Sequence, residues 1–258
     1  MFPRSPASVC ALALAILVSA CGSDSSTGPS NDQPATLDQA LSEFSIPAIS
    51  AANTAFFDAG ASAPMLALSR CAYADGSQSF VCTPFSANGL TINQSFTLLS
   101  GSGAPQSAFD RATTNAVRSN STTTGTLSEG GTTLDVNATQ ELTLSGLVSG
   151  PHTLNGGSTT KLKGQIADIF GTSALDATLT TAITNLVLPA KTAATTQVWP
   201  TSGTIVVESS GTVGTASIGI TRITMTFSGT SKVNVSRTGP GGNLNCTMDL
   251  TKLDQACQ

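Results

Sequence analysis

The sequence predicts a mainly β fold: an antiparallel meander forming a curved sheet, sandwich or barrel, with one or two short N-terminal helices. Three observations predict it. Ser and Thr make up about 70 of the 258 residues, and Thr, branched at Cβ, favours extended backbone. From about Leu66 onward, apolar and polar residues alternate with a period of two in run after run, the pattern of strands with one buried and one solvated face. Short Gly-rich segments separate these runs, and short turns between alternating strands imply antiparallel hairpins.

The first element stands apart from that fold. Val9 to Ala20 is almost wholly apolar, and Arg4 is the only positive charge before it. A run of about 12 residues is too short to cross a bilayer core, which needs ~20 helical residues. A short basic lead, a brief apolar stretch and small residues at its end describe a secretory signal peptide. The run ends in Val18-Ser19-Ala20-Cys21, which resembles the lipobox of bacterial lipoproteins: an aliphatic residue, two small residues, then an obligatory cysteine. The resemblance implies lipid on the Cys21 sulfur, cleavage that removes residues 1–20 with Cys10 among them, and contact with the membrane through that lipid. Gly22, standing where Asp would retain a lipoprotein at the inner membrane, implies the outer membrane, on its periplasmic or surface side. Each buried acyl CH₂ contributes about 0.8 kcal/mol, so two or more chains anchor stably where one binds marginally.

Residues 21–34 are Gly, Ser, Asp, Thr, Asn, Gln and Pro after the cysteine, a composition that buries too little surface to fold and acts as a flexible tether. Residues 35–63 predict short helices packed on the sheet. Thr36 and Gln39 form a T-x-x-Q capping box, and Leu37, Ala40, Leu41 and Phe44 follow at helical spacing. Pro47 suits the first turn of a second helix carrying Ile49, Phe56 and Phe57.

Residues 64–258 predict the antiparallel β domain. Leu90, Ile92, Phe96 and Leu98 share one side of "GLTINQSFTLL". In "TLDVNATQELTLSGLV", Leu134, Val136, Ala138, Leu142, Leu144 and Val148 share one face, and Asp135, Asn137, Thr139, Glu141 and Thr143 the other. Ile166 to Ala190 reads as strands or as a helix from Ser173, with strands preferred. Ile223, Met225, Phe227, Val233 and Val235 are in phase, whereas Ile218 and Ile220 are not, so a bulge or bend near Thr221-Arg222 is expected. Leu244, Cys246, Met248 and Leu250 alternate near the chain end. Turns are expected at Ser100 to Gly103, Glu129-Gly130-Gly131, Asn155-Gly156-Gly157, Gly211 to Gly214 and Gly239 to Gly242. The seven Gly-Thr pairs, such as Gly125-Thr126 and Gly203-Thr204, read as turn-to-strand punctuation.

Besides Cys10 and Cys21, four cysteines remain, and an even count in an exported chain points to disulfides. Three pairings exist. Both local pairs lie eleven positions apart, and Asp75-Gly76 supplies a turn between the first two. The expected bonds are therefore Cys71–Cys82 and Cys246–Cys257, each contributing roughly 3 kcal/mol in the chain-entropy model. A metal reading of these cysteines finds no C-x-x-C, and the sole histidine is far away in sequence.

Charged residues are only 10% of the chain, against about 25% in an average soluble domain. The pI of about 4.8 and the absence of a Lys/Arg block beyond Lys161 and Lys163 argue against nucleic acid. His152 sits in "SGPHTLNGG", a loop context, and no G-x-S-x-G elbow accompanies it. Glu141 and Glu208 are the carboxylates a glycosidase pair would need, but strand positions make them outward charges. Trp199 before Pro200 reads as packing at a strand entrance, and Asn-x-Ser/Thr at Asn120 and Asn137 carries no glycan in a bacterial lipoprotein. No catalytic, metal or cofactor residue is expected. The function that follows is a lipid-anchored, non-catalytic structural or binding domain of the cell envelope. The alternatives are a carrier of lipid or another apolar ligand in a curved sheet, or a hydrolase with an unrecognised site; the protein or ligand partner is left open.

Overall fold

The structure, a computed structural model, describes residues 71–87, 89–129, 131–148, 150–168, 171–188, 199–251 and 254–257. These belong to one of the chain's two units, Ser62–Gln258. The signal peptide expected in residues 1–20, the lipidation expected at Cys21, the tether expected over 21–34 and the helices expected within 35–63 lie outside the described residues.

Alternation dominates, and the described fold is mainly β. Fifteen strands form one sheet: β1 (Cys71–Ala74), β2 (Ser79–Cys82), β3 (Phe85–Ala87), β4 (Leu90–Ser100), β5 (Pro105–Gln106), β6 (Thr114–Glu129), β7 (Thr132–Ser145), β8 (His152–Asp168), β9 (Gly171–Leu188), β10 (Ser202–Val213), β11 (Ala216–Ser217), β12 (Thr221–Thr226), β13 (Lys232–Thr238), β14 (Leu244–Asp249) and β15 (Asp254–Cys257). Every pairing is antiparallel. The path β1-β2-β4-β6-β7-β8-β9-β10-β12-β13-β14-β15 follows chain order, and the short β3, β5 and β11 pair beside it. Its two ends do not pair among the described residues, so the sheet is an open meander and not the closed barrel that was one expectation.

The register puts most apolar residues of the long strands on one face. Leu144 stands opposite both Val117 and Leu154, Leu154 opposite Leu186, and Ile205 opposite Met225. Leu98 is 0% exposed, Leu134 2% and Met225 1%. A cluster of Phe80, Phe96 and Leu98 is joined by Tyr73, with Phe80 stacked on Phe96 at 5.2 Å and edge-on to Tyr73 at 5.2 Å. This inner face is not apolar along its whole length. At mid-strand the inner positions are Gln94, Ser121, Gln140, Ser158 and Thr181, directly opposite one another in series. The long strands β6 to β9 thus have an apolar zone towards each end and a waist that is polar on both faces.

Several expectations need correction. Asn155-Gly156-Gly157 is no turn: it lies inside the 17-residue β8. Gly156 takes φ +131°, and a Cβ there would run into the Glu141 carbonyl oxygen and the Leu142 Cα. The glycines let the strand coil and its neighbour approach instead of reversing the chain. Gly125-Thr126 and Gly211-Thr212 likewise sit within β6 and β10, whereas Gly131-Thr132, Gly171-Thr172 and Gly203-Thr204 stand at the starts of β7, β9 and β10, as their reading as strand punctuation expects. Val148 lies beyond the end of β7 and is 44% exposed, because the chain turns after Ser145. The phase change ahead of β12 occurs at Gly219, φ +68°, a little earlier than Thr221-Arg222, and leaves Ile220 61% exposed. The segment from Ile166 forms strands, as preferred: the end of β8 and all of β9.

Candidate functional site

The residues singled out in the sequence do not converge. His152 opens β8 and is half-buried, not exposed in a loop as expected; its Nδ1–H donates to the Gly146 carbonyl at 3.1 Å, which spends that nitrogen on holding the preceding turn. Glu141 on β7 lies 4.0 Å from Arg118 Nε, and Glu208 on β10 lies 3.8 Å from Arg222 directly across the ladder. The two carboxylates face outward and are three strand steps apart, about 14 Å at ~4.8 Å per step. That exceeds the ~9.5 Å limit for a pair acting on one glycosidic bond. Lys163 is matched by Asp176 at 3.6 Å, and Lys161 faces outward beside Asn137 and Thr178. Trp199 is partly buried at the entrance to β10, beside fully buried Pro200. Among the described residues no group of three His, Cys, Asp or Glu side chains is placed to hold a metal ion.

Two cysteine expectations meet structural facts. Cys71 and Cys82 are opposite each other in the β1–β2 hairpin and are disulfide-bonded. Cys246 is disulfide-bonded as well, and the register sets Cys257 directly opposite it.

What the fold assembles is a groove on the outer face of the waist. Its volume is about 440 Å³, and its lining takes three consecutive residues from each of β6, β7 and β8 and two from β9. Register makes these a grid. Thr122, Thr139, Thr159 and Thr180 form one row across four strands. Asn120, Glu141 and Gly157 form a parallel row two positions along. Residues i and i+2 of a strand share a face, so these rows are two walls on the outer side. The backbone of Ser121, Gln140, Ser158 and Thr181 runs between them as the floor. Gly157 contributes no side chain and keeps one wall low.

The lining contains no aliphatic or aromatic residue. Its one ionised group, Glu141, sits beside Arg118. The hydroxyls of the Thr row and the amide of Asn120 make no hydrogen bond within the described protein, so they point their capacity at solvent. Comparison with protein-family models, with curated proteins and with solved structures finds no match to this chain. The row was not foreseen from the sequence. Alternation placed Thr139 and Glu141 outward, but only the register shows that Thr122, Thr159 and Thr180 stand beside Thr139.

Proposed function

We propose that this chain is a lipid-anchored protein of the bacterial cell envelope, held at the outer membrane through Cys21, whose β domain is a non-catalytic binding or structural module. The observation that carries the reading is the division of the sheet into an inner face holding the buried apolar residues and an outer face paved with Thr, Ser and Asn. On that outer face the ion pairs Arg118–Glu141, Lys163–Asp176 and Arg222–Glu208 offset one another. A hydroxyl-rich face whose few charges are of both signs suits contact with polar surroundings outside the cytoplasm. The Cys71–Cys82 bond supports an oxidising compartment, and we propose Cys246–Cys257 as its counterpart. The groove lining holds no aliphatic or aromatic side chain, which favours a polar partner over the lipid-carrier alternative.

The test is fractionation and mass analysis of the protein made in a Gram-negative host. Wild type is expected in the membrane fraction, with a mature mass beginning at Cys21 plus acyl chains. Cys21→Ala is expected in the soluble extracytoplasmic fraction or as uncut precursor. A wild-type protein with an unmodified thiol and residues 1–20 still attached would end the proposal. Native mass spectrometry of the released domain addresses the alternative: a co-purifying lipid in stoichiometric amount would favour the carrier.

A further inference from the structure

We infer that redox locks close the two margins of the open sheet: a dithiol cleaves the cross-strand bonds Cys71–Cys82 and Cys246–Cys257, frees the edge strands β1 and β15, and leaves the body of the sheet folded. This goes beyond the reading above and does not depend on lipid at Cys21. The observation that carries it is a shared placement. β1 and β15 are the two ends of the sheet path. Each is four residues long and pairs, among the described strands, with one neighbour. Cys71 is the first residue of β1 and stands opposite Cys82, the last of β2, to which it is bonded. Cys257 is the last residue of β15 and stands opposite Cys246, which is disulfide-bonded. Each pair of cysteines therefore occupies the rung farthest from its hairpin turn, where an unlinked ladder starts to fray.

A short ladder held on one side is marginal by itself, and strand ends open locally far more often than a sheet centre does. A bond at the outermost rung prevents that opening. The centre needs no such help, because β6 to β9 run 14 to 18 residues and pair with neighbours on both sides. Loss of an edge strand thus leaves the ladders of the body intact. At the first margin it removes Tyr73 from its edge-on contact with the Phe80 ring and uncovers the outer side of β2. The Cys71–Cys82 bond lies at the margin of the sheet, and both cysteines are partly exposed, so a thiolate reaches sulfur without the sheet unfolding. It forms a mixed disulfide with one cysteine and releases the other as thiolate. The second thiol of the reductant then attacks its own sulfur in the mixed disulfide and releases the first cysteine. Two electrons and two protons pass to the cysteine pair, and the dithiol leaves as a disulfide.

The test uses the full chain carrying Cys10→Ala and Cys21→Ala, so that only the cysteines of the sheet remain, with dithiothreitol as the dithiol. Thiols are trapped by alkylation and located by peptide mass, over a series of urea concentrations below the unfolding transition. Alkylation of Cys71, Cys82, Cys246 and Cys257 is expected without urea, at a rate proportional to dithiothreitol and unchanged by urea. Hydrogen exchange in the reduced chain should be roughly tenfold or more faster in β1 and β15, with β6 to β9 unchanged, and reoxidation should restore the protection. The double variants Cys71→Ser, Cys82→Ser and Cys246→Ser, Cys257→Ser should each lose protection at their own margin alone. Bonds that open only as fast as the chain unfolds, with a rate that climbs with urea, overturn the inference. So do uniform loss of protection across the sheet, edge strands that stay protected after reduction, and a disulfide map that joins Cys71 or Cys82 to Cys246 or Cys257. None of these outcomes touches the fate of Cys21, so the locks and the anchorage stand or fall separately.

Discussion

Single residues carry the bends of this sheet, and glycine carries them where a Cβ has no room. Gly156 combines φ +131° with a would-be Cβ directed at the Glu141 carbonyl and 2.9 Å from the Leu142 Cα. Gly101 has open space around its would-be Cβ and no such φ. Gly156→Ala is therefore expected to cost about 2 kcal/mol or more, from backbone strain and displacement of β7, whereas Gly101→Ala stays within about 0.5 kcal/mol. Urea midpoints at unchanged slope measure both, and equal midpoints for the two variants would contradict the assigned role of Gly156. At this scale the sequence was legible wherever a residue's fate depends on its own strand. Leu134, Val136, Leu142 and Leu144 are buried in the phase their alternation predicts. His152 was not legible, because its contact with the Gly146 carbonyl depends on how the Gly- and Pro-containing turn before it folds back, which the turn residues by themselves do not specify.

At the scale of elements, hairpins are the unit, since each long strand pairs with its neighbours in the chain. The β1–β2 hairpin hangs on one edge of the sheet, tied by Cys71–Cys82 and packed through Tyr73 and Phe80 onto Phe96. Converting both cysteines to Ala is expected to cost about 3 kcal/mol in the chain-entropy model. Hydrogen exchange should localise the loss, with amides of Cys71–Cys82 exchanging first and those of β7 and β8 retaining their protection. Uniform loss of protection across the sheet would show the hairpin to be part of one cooperative unit. Alternation recovered β4, β7, β12 and β13 but left β9 ambiguous, and the reason is a bulge. Leu175, Ala177, Leu179, Thr181 and Ile183 face inward in one phase, while Leu186 and Leu188 face inward in the other. Between them Asn185 takes φ +47°, and its N–H donates to the Asn155 side chain at 2.7 Å. The extra residue flips the phase, so a pattern with a fixed period of two breaks at that point.

For the whole molecule, scarce charge has a consequence for stability. The ion pairs described on the outer face, Arg118–Glu141, Lys163–Asp176 and Arg222–Glu208, are exposed, and exposed pairs contribute about 0–1 kcal/mol each. Raising NaCl from about 0.1 M to about 1 M shortens the screening length from ~10 to ~3 Å. The melting temperature of the released domain should nonetheless shift by no more than about 4 °C, the change a loss near 1 kcal/mol produces in a domain of this size. A larger drop would mean that the outer-face charges hold the sheet together, and calorimetry at the two salt concentrations measures it. By itself the sequence determined the class of fold, most of the inward set of apolar residues, the sites of some hairpin turns and the facing of Cys71 with Cys82. All of these follow from local periodicity and turn chemistry, which act within a few residues. Only the tertiary structure decided that the sheet stays open, that its long strands are polar on both faces at mid-length, and that Thr122, Thr139, Thr159 and Thr180 form one row. Those facts depend on register between strands, where a shift of one residue exchanges the two faces, and register is settled by every pairing in the sheet together.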